Sequence, residues 1–202
     1  MTRSASKPTA RAAAGSFPGK VRIIGGRWRG RRIAVAPVAG LRPSPDRVRE
    51  TLFNWLQSVL SGAECLDLFA GTGALGIEAL SRGASRAVFV DSDPTAARHL
   101  KGTLRQLDAE GLASVHVADA LHFLDGPVQR FDIVFLDPPF ASDLLAPVCS
   151  RLANGWLSAG AHVYVESAAD AGLPQLPSGW LVHRSGRAGQ VGYHLLRSQP
   201  PA

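Results

Sequence analysis

The stretch Cys65-Leu66-Asp67-Leu68-Phe69-Ala70-Gly71-Thr72-Gly73-Ala74-Leu75-Gly76 decides the fold predicted for this chain of 202 residues. Its first half is an apolar run typical of a buried strand, and Ile77-Glu78-Ala79-Leu80 continues after the glycines with the character of a helix. Glycine lets the backbone approach a ligand closely, and the first turn of a helix offers N–H groups without partners. We therefore predict a strand, a glycine-rich turn and a helix that bind the polar part of a nucleotide-like cofactor.

The next apolar run, Ala87-Val88-Phe89-Val90, ends in an acid, Asp91, about 20 residues after the first glycine. A carboxylate at this position can accept hydrogen bonds from both hydroxyl groups of a ribose. Asp67 lies just before the glycine turn. Its negative charge would repel a pyrophosphate but would attract the cationic methionine end of S-adenosylmethionine. The alternative is that the Asp67 carboxylate only caps the turn. Because nicotinamide enzymes share such glycines and such an acid, these residues alone do not identify the cofactor.

The tetrapeptide Asp137-Pro138-Pro139-Phe140, which follows the apolar run 131–136, favours an S-adenosylmethionine enzyme. An exocyclic amine on a flat ring is a poor nucleophile, because its lone pair is delocalised into the ring. Asp137 and the Pro138 carbonyl could hold such an amine, the two prolines would stiffen the turn, and Phe140 could stack on the base. An ordinary strand-to-helix turn is the alternative. We take these four residues as the candidate catalytic residues of a methyl transfer, for which we expect no metal.

The alternation of apolar runs predicts an α/β fold with a doubly wound, Rossmann-like sheet. Two late strands have no long helix between them and should pair antiparallel at one edge, which favours a class I S-adenosylmethionine-dependent methyltransferase sheet over a dinucleotide-binding one. Strands are expected near 64–69, 86–91, 114–118, 131–137, 160–166, 179–184 and 190–197, and helices near 73–82, 94–108 and 142–154.

Asp119 directly follows the third predicted strand and therefore faces the same crevice as the glycine turn. It could accept a hydrogen bond from the adenine amino group, or it could cap the helix that begins at Ala120. The residues expected to bind the cofactor are Asp67, Phe69, Ala70, Gly71, Thr72, Gly73, Gly76, Asp91, Ser92, Asp119 and Ala120.

Positive charge is concentrated at the N-terminal end. Residues 1–50 contain 12 Lys and Arg against Asp46 and Glu50, a net charge of +10, whereas the rest of the chain carries −4. Two short β-like runs there, 21–24 and 33–36, predict a small basic hairpin. Arginine beside an aromatic ring suits contact with phosphates and bases, although a charged hairpin that merely prevents sheet pairing is the alternative. The expected RNA-binding residues are Lys20, Arg22, Arg27, Trp28, Arg29, Arg31, Arg32 and Arg42.

Residues 41–46 resemble an extended link into a helix, with Ser44 as N-cap and Pro45 at the first helical position. Apolar residues then recur at helical spacing and should form the buried face of this helix. They are Val48, Leu52, Trp55, Leu56 and Val59.

The composition is that of a globular protein, with 46% hydrophobic residues. Its two cysteines, Cys65 and Cys149, have neither metal-ligand nor disulfide spacing, so we expect buried thiols in a reducing compartment. No apolar run reaches the roughly 20 residues that a membrane helix needs, and we expect a cytoplasmic protein without a membrane segment. Residues 1–19 favour a disordered basic tail; an organelle transit peptide is the alternative.

Several longer motifs point to one known family. They are Val21-Arg22-Ile23-Ile24-Gly25-Gly26 with Trp28-Arg29-Gly30, Leu41-Arg42-Pro43, Asp46-Arg47-Val48-Arg49-Glu50-Thr51-Leu52-Phe53-Asn54-Trp55-Leu56, Leu66-Asp67 with Phe69-Ala70-Gly71, Gly73-Ala74-Leu75-Gly76, Asp137-Pro138-Pro139-Phe140, Tyr164-Val165-Glu166-Ser167 and Ala188-Gly189-Gln190-Val191. On these motifs, over residues 20–197, the chain resembles the bacterial 16S ribosomal RNA guanine-N2 methyltransferases called RsmD. Ser44, Thr72 and Asp91 depart from the residues usual in that family but keep their hydrogen-bonding chemistry.

The resemblance implies S-adenosylmethionine as cofactor and, as acceptor, one guanine of 16S ribosomal RNA presented in assembled 30S subunits. We expect a monomer with a tail over residues 1–19, an RNA-binding hairpin extension over 20–40 and a methyltransferase domain over 41–202. Two alternatives stay open. One is a DNA amine methyltransferase, which would use a similar proline turn, and the other is an RNA-binding assembly factor that lacks activity.

Overall fold

The computed structural model describes residues 19–38, 44–139 and 142–199. Nine strands and five α-helices make up this part of the chain. The strands are β1 (Lys20–Arg22), β2 (Arg32–Ala34), β3 (Glu64–Asp67), β4 (Arg86–Asp91), β5 (Ala113–Val117), β6 (Phe131–Leu136), β7 (Leu157–Ala168), β8 (Trp180–Ala188) and β9 (Val191–Ser198). The helices are α1 (Asp46–Trp55), α2 (Ala74–Ser81), α3 (Pro94–Gln106), α4 (Ala120–Leu124) and α5 (Leu145–Leu152).

A seven-stranded sheet in the order β5-β4-β3-β6-β7-β9-β8 forms the centre of the molecule. Strands β3 to β7 pair parallel with their neighbours, whereas β9 pairs antiparallel with both β7 and β8. The prediction of a doubly wound sheet with an antiparallel edge is therefore confirmed. The parallel strands all end at one edge of the sheet, which is where such folds bind their ligands.

Apolar side chains alternate between the two faces of the sheet, so each face has its own hydrophobic core. On β3, Cys65 belongs to the core beneath α1, α2 and α3, whereas Leu66 belongs to the opposite core, together with residues of α4 and α5. Cys149 of α5 is also buried in that second core. Both cysteines are free and buried, as predicted.

The small hairpin of β1 and β2 is confirmed, with Val21 opposite Ile33 in antiparallel register. Both of these side chains are buried in the core that they share with α1 and α2. A single turn of 3₁₀ helix, Gly26–Trp28, connects the two strands. The hairpin consequently packs on the central sheet domain through apolar contacts and leaves its basic side chains on the outside.

The start of α1 differs from the prediction. The helix begins at Asp46, its N-cap is Pro45, and no side chain caps it. Ser44 is thus not the N-cap, because its hydroxyl group instead donates to Glu166 Oε1 at 2.6 Å. The buried face of α1 is also shorter than expected, since Val59 is 37% exposed.

Among the residues with described positions, no helix has the length and apolar character needed to cross a membrane. Within the same ranges, no group of three or more His, Cys, Asp or Glu side chains is placed to hold a metal ion.

Candidate active site

Three predicted acids meet at the carboxyl edge of the sheet. In the register of the parallel strands, Asp67 at the end of β3 lies beside Phe89 of β4 and Phe135 of β6. Asp91 and Asp137 each follow those phenylalanines by two residues, so all three carboxylates reach the same edge. The structure therefore brings together the acids expected for the cofactor and the acid expected for the amine.

The glycine turn has the backbone conformation that requires glycine. Gly71 and Gly73 have positive φ angles of 50° and 74°, a region that other residues rarely adopt. A Cβ atom at Gly73 would also lie 2.4 Å from Leu100 Cδ1, so the Leu100 side chain would have to move to admit it. The turn leads directly into α2, whose N-cap is Gly73.

Asp91 fixes this turn from the neighbouring strand. Its Oδ2 accepts a hydrogen bond from the Gly71 N–H at 2.6 Å, and its Oδ1 accepts one from the Asp93 N–H at 2.8 Å. The side chain remains partly exposed at the sheet edge. Each carboxylate oxygen has a second acceptor site, so Asp91 can hold the turn and still accept the hydroxyl groups of a ribose.

Asp67 caps the first turn of α2, which agrees with the capping role that the sequence left open for this residue. Its buried Oδ2 accepts a hydrogen bond from the Gly76 N–H at 3.0 Å. Burial raises the pKa of this carboxyl group to about 7, the Gly76 hydrogen bond opposes the rise, and the charge of Asp91 adds to it. A cation bound beside Asp67 would favour the ionised carboxylate, so capping and contact with a cofactor are compatible.

Asp137 lies where β6 ends, and a chain of polar side chains connects it to β7. Ser44 Oγ lies 3.4 Å from Asp137 Oδ2 and donates to Glu166 Oε1 at 2.6 Å. The Tyr164 hydroxyl donates to the same Glu166 oxygen at 2.8 Å. Burial raises the pKa of Asp137 well above its usual range, and the negative charges of Glu166 and Asp67 raise it further.

The other predicted site residues fall around these acids. Asp119 caps α4 by accepting from the Leu121 and His122 N–H groups, and its contact with adenine stays a prediction. Pro138 is buried and Pro139 is exposed, whereas Phe140 lies outside the described residues. Of the remaining candidates for cofactor binding, Phe69 is half-buried, Ser92 is exposed, and Ala70, Thr72, Gly76 and Ala120 are buried.

Of the expected RNA-binding residues that the structure describes, all but Trp28 are exposed. These exposed residues are Lys20, Arg22, Arg27, Arg29, Arg31 and Arg32. Two of them also contact the protein, since Arg22 pairs with Asp46 at 3.5 Å and Arg31 donates to the Gln106 carbonyl at 2.6 Å. Trp28 is only 6% exposed and packs in the core, with the Arg27 guanidinium 3.9 Å from its ring centroid. The prediction that Trp28 stacks on bases is therefore wrong, because the ring anchors the hairpin. Arg42 lies outside the described residues.

Four polar residues of this region were not predicted as functional. Ser44 and Glu166 extend the Asp137 site, and Glu78 and Arg49 join the hairpin to the helices beneath it. Glu78 is fully buried and accepts from the Ile24 and Gly25 N–H groups, both at 2.8 Å. The available signal was the position of Glu166 near the end of a predicted buried strand, because a buried acid at the ligand-binding edge of a sheet is a candidate for a functional site.

A family model described as conserved hypothetical protein 95 matches residues 21–197 of this chain. A protein of Escherichia coli (strain K12) named ribosomal RNA small subunit methyltransferase D is 48% identical over 185 residues, which cover 91% of this chain and 93% of the relative. The protein of the same name from Haemophilus influenzae is 45% identical over 184 residues, which cover 89% of this chain and 95% of that relative.

A solved structure, a putative methyltransferase from Escherichia coli, has the same fold as this chain. It superimposes with a TM-score of 0.83 at 46% sequence identity, and the match covers 90% of this chain and 99% of that structure. The match thus includes the central sheet and extends over almost the whole of the solved protein.

Proposed function

Because this chain belongs to the RsmD family of methyltransferases, we propose that it methylates the exocyclic N2 of a guanine in 16S ribosomal RNA. S-adenosylmethionine would supply a methyl group that is activated by a positively charged sulfur. The observation that carries the proposal is the position of Asp137, at the same sheet edge as the glycine turn and Asp91. An amine held there would lie beside the cofactor pocket.

The residues around the glycine turn fit this cofactor. Gly71 and Gly73 give the turn a backbone that only glycine adopts readily, Asp91 offers a partly exposed carboxylate for ribose hydroxyls, and Asp67 offers an acid for a cationic group. A pyrophosphate beside the glycine turn would be repelled by Asp67. The residues around the glycine turn therefore favour S-adenosylmethionine over a dinucleotide.

The catalytic task of the protein is mainly to position the amine. Asp137 and the Pro138 carbonyl would accept hydrogen bonds from the two N–H groups of N2, and Phe140 would stack on the base after it leaves its helix. Accepting these bonds turns the nitrogen lone pair towards the methyl group. A proton must leave N2 in the reaction, and Asp137 is the nearest proposed acceptor.

The choice of RNA as substrate rests on the basic hairpin and on the relatives. Six exposed cations surround the 3₁₀ turn of the hairpin, and the two relatives are named for the small ribosomal subunit. We also propose that the chain acts as a cytoplasmic monomer, that assembled 30S subunits present the guanine and that residues 20–40 form the RNA-binding extension of the methyltransferase domain over 41–202. The tail predicted over residues 1–19 lies, apart from Gly19, outside the described residues.

Transfer of labelled methyl groups to three substrates in parallel tests the proposal. The substrates are 30S subunits that lack the modification, naked 16S ribosomal RNA and duplex DNA, and the products are digested to nucleosides. Label in N2-methylguanosine from subunits supports the proposal. Label in a DNA base would replace it by a DNA amine methyltransferase, and absence of label despite cofactor binding would favour an inactive assembly factor.

A further inference from the structure

A chain of hydrogen bonds links Asp137 to a second buried carboxyl group, Glu166 of β7. Ser44 stands between them, 2.6 Å from Glu166 Oε1 and 3.4 Å from Asp137 Oδ2. Ser44 and Glu166 are 9% and 3% exposed. Two buried acids that share one serine partner do not both ionise readily, because their charges repel each other in a poorly solvated site.

The directions of these hydrogen bonds indicate where the proton resides. Glu166 Oε1 accepts from both Ser44 and Tyr164, which suits an ionised carboxylate. A serine hydroxyl group has one hydrogen, and the shorter contact, at 2.6 Å, assigns it to Glu166, which leaves the Ser44 oxygen facing Asp137 Oδ2 at 3.4 Å. A protonated Asp137 carboxyl group would supply the hydrogen for that longer contact, and the raised pKa of Asp137 agrees with this state in the RNA-free protein.

A protonated Asp137 is in the wrong state for the proposed reaction, since it has to accept hydrogen bonds from the amine and then a proton. We propose that Glu166 is the positioning residue that solves this problem: when the guanine amine binds, Asp137 gives its proton to Ser44 Oγ, and Ser44 gives its own to Glu166. This inference rests on the proposed function of the same site. It identifies Ser44 and Glu166 as parts of a proton relay.

The protons balance without another reactant. The relay converts a neutral Asp137 and an ionised Glu166 into an ionised Asp137 and a neutral Glu166. Methylation then leaves N2 with one proton too many, which Asp137 accepts. Both carboxyl groups are protonated at that point, and one proton passes to water as the product leaves, which restores the starting state.

Charged and titratable groups from the surrounding elements modulate this relay. Burial raises the pKa of Glu166, and the hydrogen bonds from Ser44 and Tyr164 oppose this rise by stabilising the ionised carboxylate. The charge of Asp67 of β3 adds to the raised pKa of Asp137. The Arg49 guanidinium of α1 holds the Ser44 carbonyl through Nε at 3.3 Å and thus fixes the middle of the relay. Tyr193 of β9 packs nearby, against Trp55, with ring centroids 5.5 Å apart.

The pH dependence of single-turnover methylation of 30S subunits tests the relay, with wild type, Glu166→Gln, Ser44→Ala and Ser44→Thr. Glutamine keeps an acceptor for Ser44 and Tyr164 but cannot take a proton, so Asp137 must lose its proton to water. The acid limb of the rate should then move to higher pH by about one unit. Ser44→Ala should move it further and lower the rate at neutral pH by about tenfold or more, whereas Ser44→Thr should restore the wild-type profile.

Carbon-13 NMR titration of the carboxyl groups in the RNA-free protein gives a second readout. Wild type should show two coupled steps for Asp137 and Glu166. In Glu166→Gln the Asp137 step should occur at lower pH than the upper wild-type step, because the neighbouring negative charge is gone. Cofactor affinity and thermal unfolding of each variant show whether it is folded.

The two readouts separate the relay from the proposed function. Upward shifts of the acid limb in Glu166→Gln and Ser44→Ala, together with the changed titration, support the relay. Activity profiles that keep their wild-type midpoints, with only a uniform loss of rate, would overturn it. If wild type methylates none of the substrates, the proposed function fails, and an Asp137 titration that is unaltered by Glu166→Gln would then overturn the relay as well.

Discussion

The substitution Glu78→Gln tests how the basic hairpin is held on the methyltransferase domain. The Glu78 carboxylate of α2 accepts from the Ile24 and Gly25 N–H groups through different oxygens, and it pairs with Arg82 Nε at 2.7 Å. The buried Arg49 guanidinium lies 3.5 Å away. Glutamine has almost the same shape but only one acceptor oxygen and no charge.

The magnitude follows from what the substitution leaves without a partner. One partly buried backbone N–H, of Ile24 or Gly25, loses its acceptor and faces an amide NH₂ group, which costs about 1 to 3 kcal/mol. Arg49 keeps its 2.6 Å contact with the half-exposed Asp46 but loses the buried anion Glu78; breaking a buried ion pair costs about 3 to 5 kcal/mol. These costs overlap, and we expect a loss of about 4 kcal/mol in the free energy of unfolding, equivalent to roughly 10 °C in Tm.

Urea unfolding followed by tryptophan fluorescence measures this loss, and hydrogen exchange at the Ile24 and Gly25 amides locates it. Glu110→Gln is the matched control, because Glu110 also pairs with an arginine Nε, that of Arg105 at 3.2 Å, but on the surface. The control should change stability by less than about 0.5 kcal/mol. A loss of less than about 1 kcal/mol for Glu78→Gln, or one equal to the control, would refute the reasoning.

Three further predictions concern RNA, the cofactor and the thiols. The triple variant Lys20→Ala, Arg29→Ala, Arg32→Ala should reduce the slope of log affinity against log salt for ribosomal RNA by about 2 to 3, since each lost phosphate contact removes somewhat less than one unit; an unchanged slope would contradict the role of the hairpin. Asp91→Ala should weaken S-adenosylmethionine binding by about 10- to 100-fold in calorimetry, because it removes a charged acceptor and frees the glycine turn; unaltered affinity would exclude Asp91 from the pocket. Burial raises the pKa of the Cys149 thiol to about 12, so a thiol reagent should label the native protein slowly and the unfolded protein at once, whereas rapid native labelling would show an accessible cysteine.

The parts of the fold that could be predicted depend on local signals. The glycine turn, the strand before it and Asp91 have a spacing that few other structures require, and the structure places them together. The late antiparallel strands were predictable because too few residues separate them for a crossover helix. Strand β7 was predicted near 160–166 but spans Leu157–Ala168, with an irregular register opposite β6 that no periodicity reveals.

The errors occurred where long-range contacts override local preference. Ser44 before Pro45 is a typical start of a helix, yet its hydroxyl group binds Glu166, 122 residues further along the chain. Trp28 among arginines is typical of an exposed nucleic-acid surface, yet its ring completes the core beneath the hairpin. Glu78 occupies a position that sequence periodicity leaves ambiguous on a helix buried on all sides. Contacts between residues so distant in sequence cannot be predicted from the spacing of neighbouring residues.

The most direct test of the central claim compares Asp137→Ala with wild type in the transfer of labelled methyl groups to unmodified 30S subunits, with cofactor affinity measured on the same preparations. We predict label in N2-methylguanosine for wild type and a rate lower by about a hundredfold or more for Asp137→Ala, while S-adenosylmethionine still binds. Equal rates for the two proteins would show that Asp137 does not hold the amine.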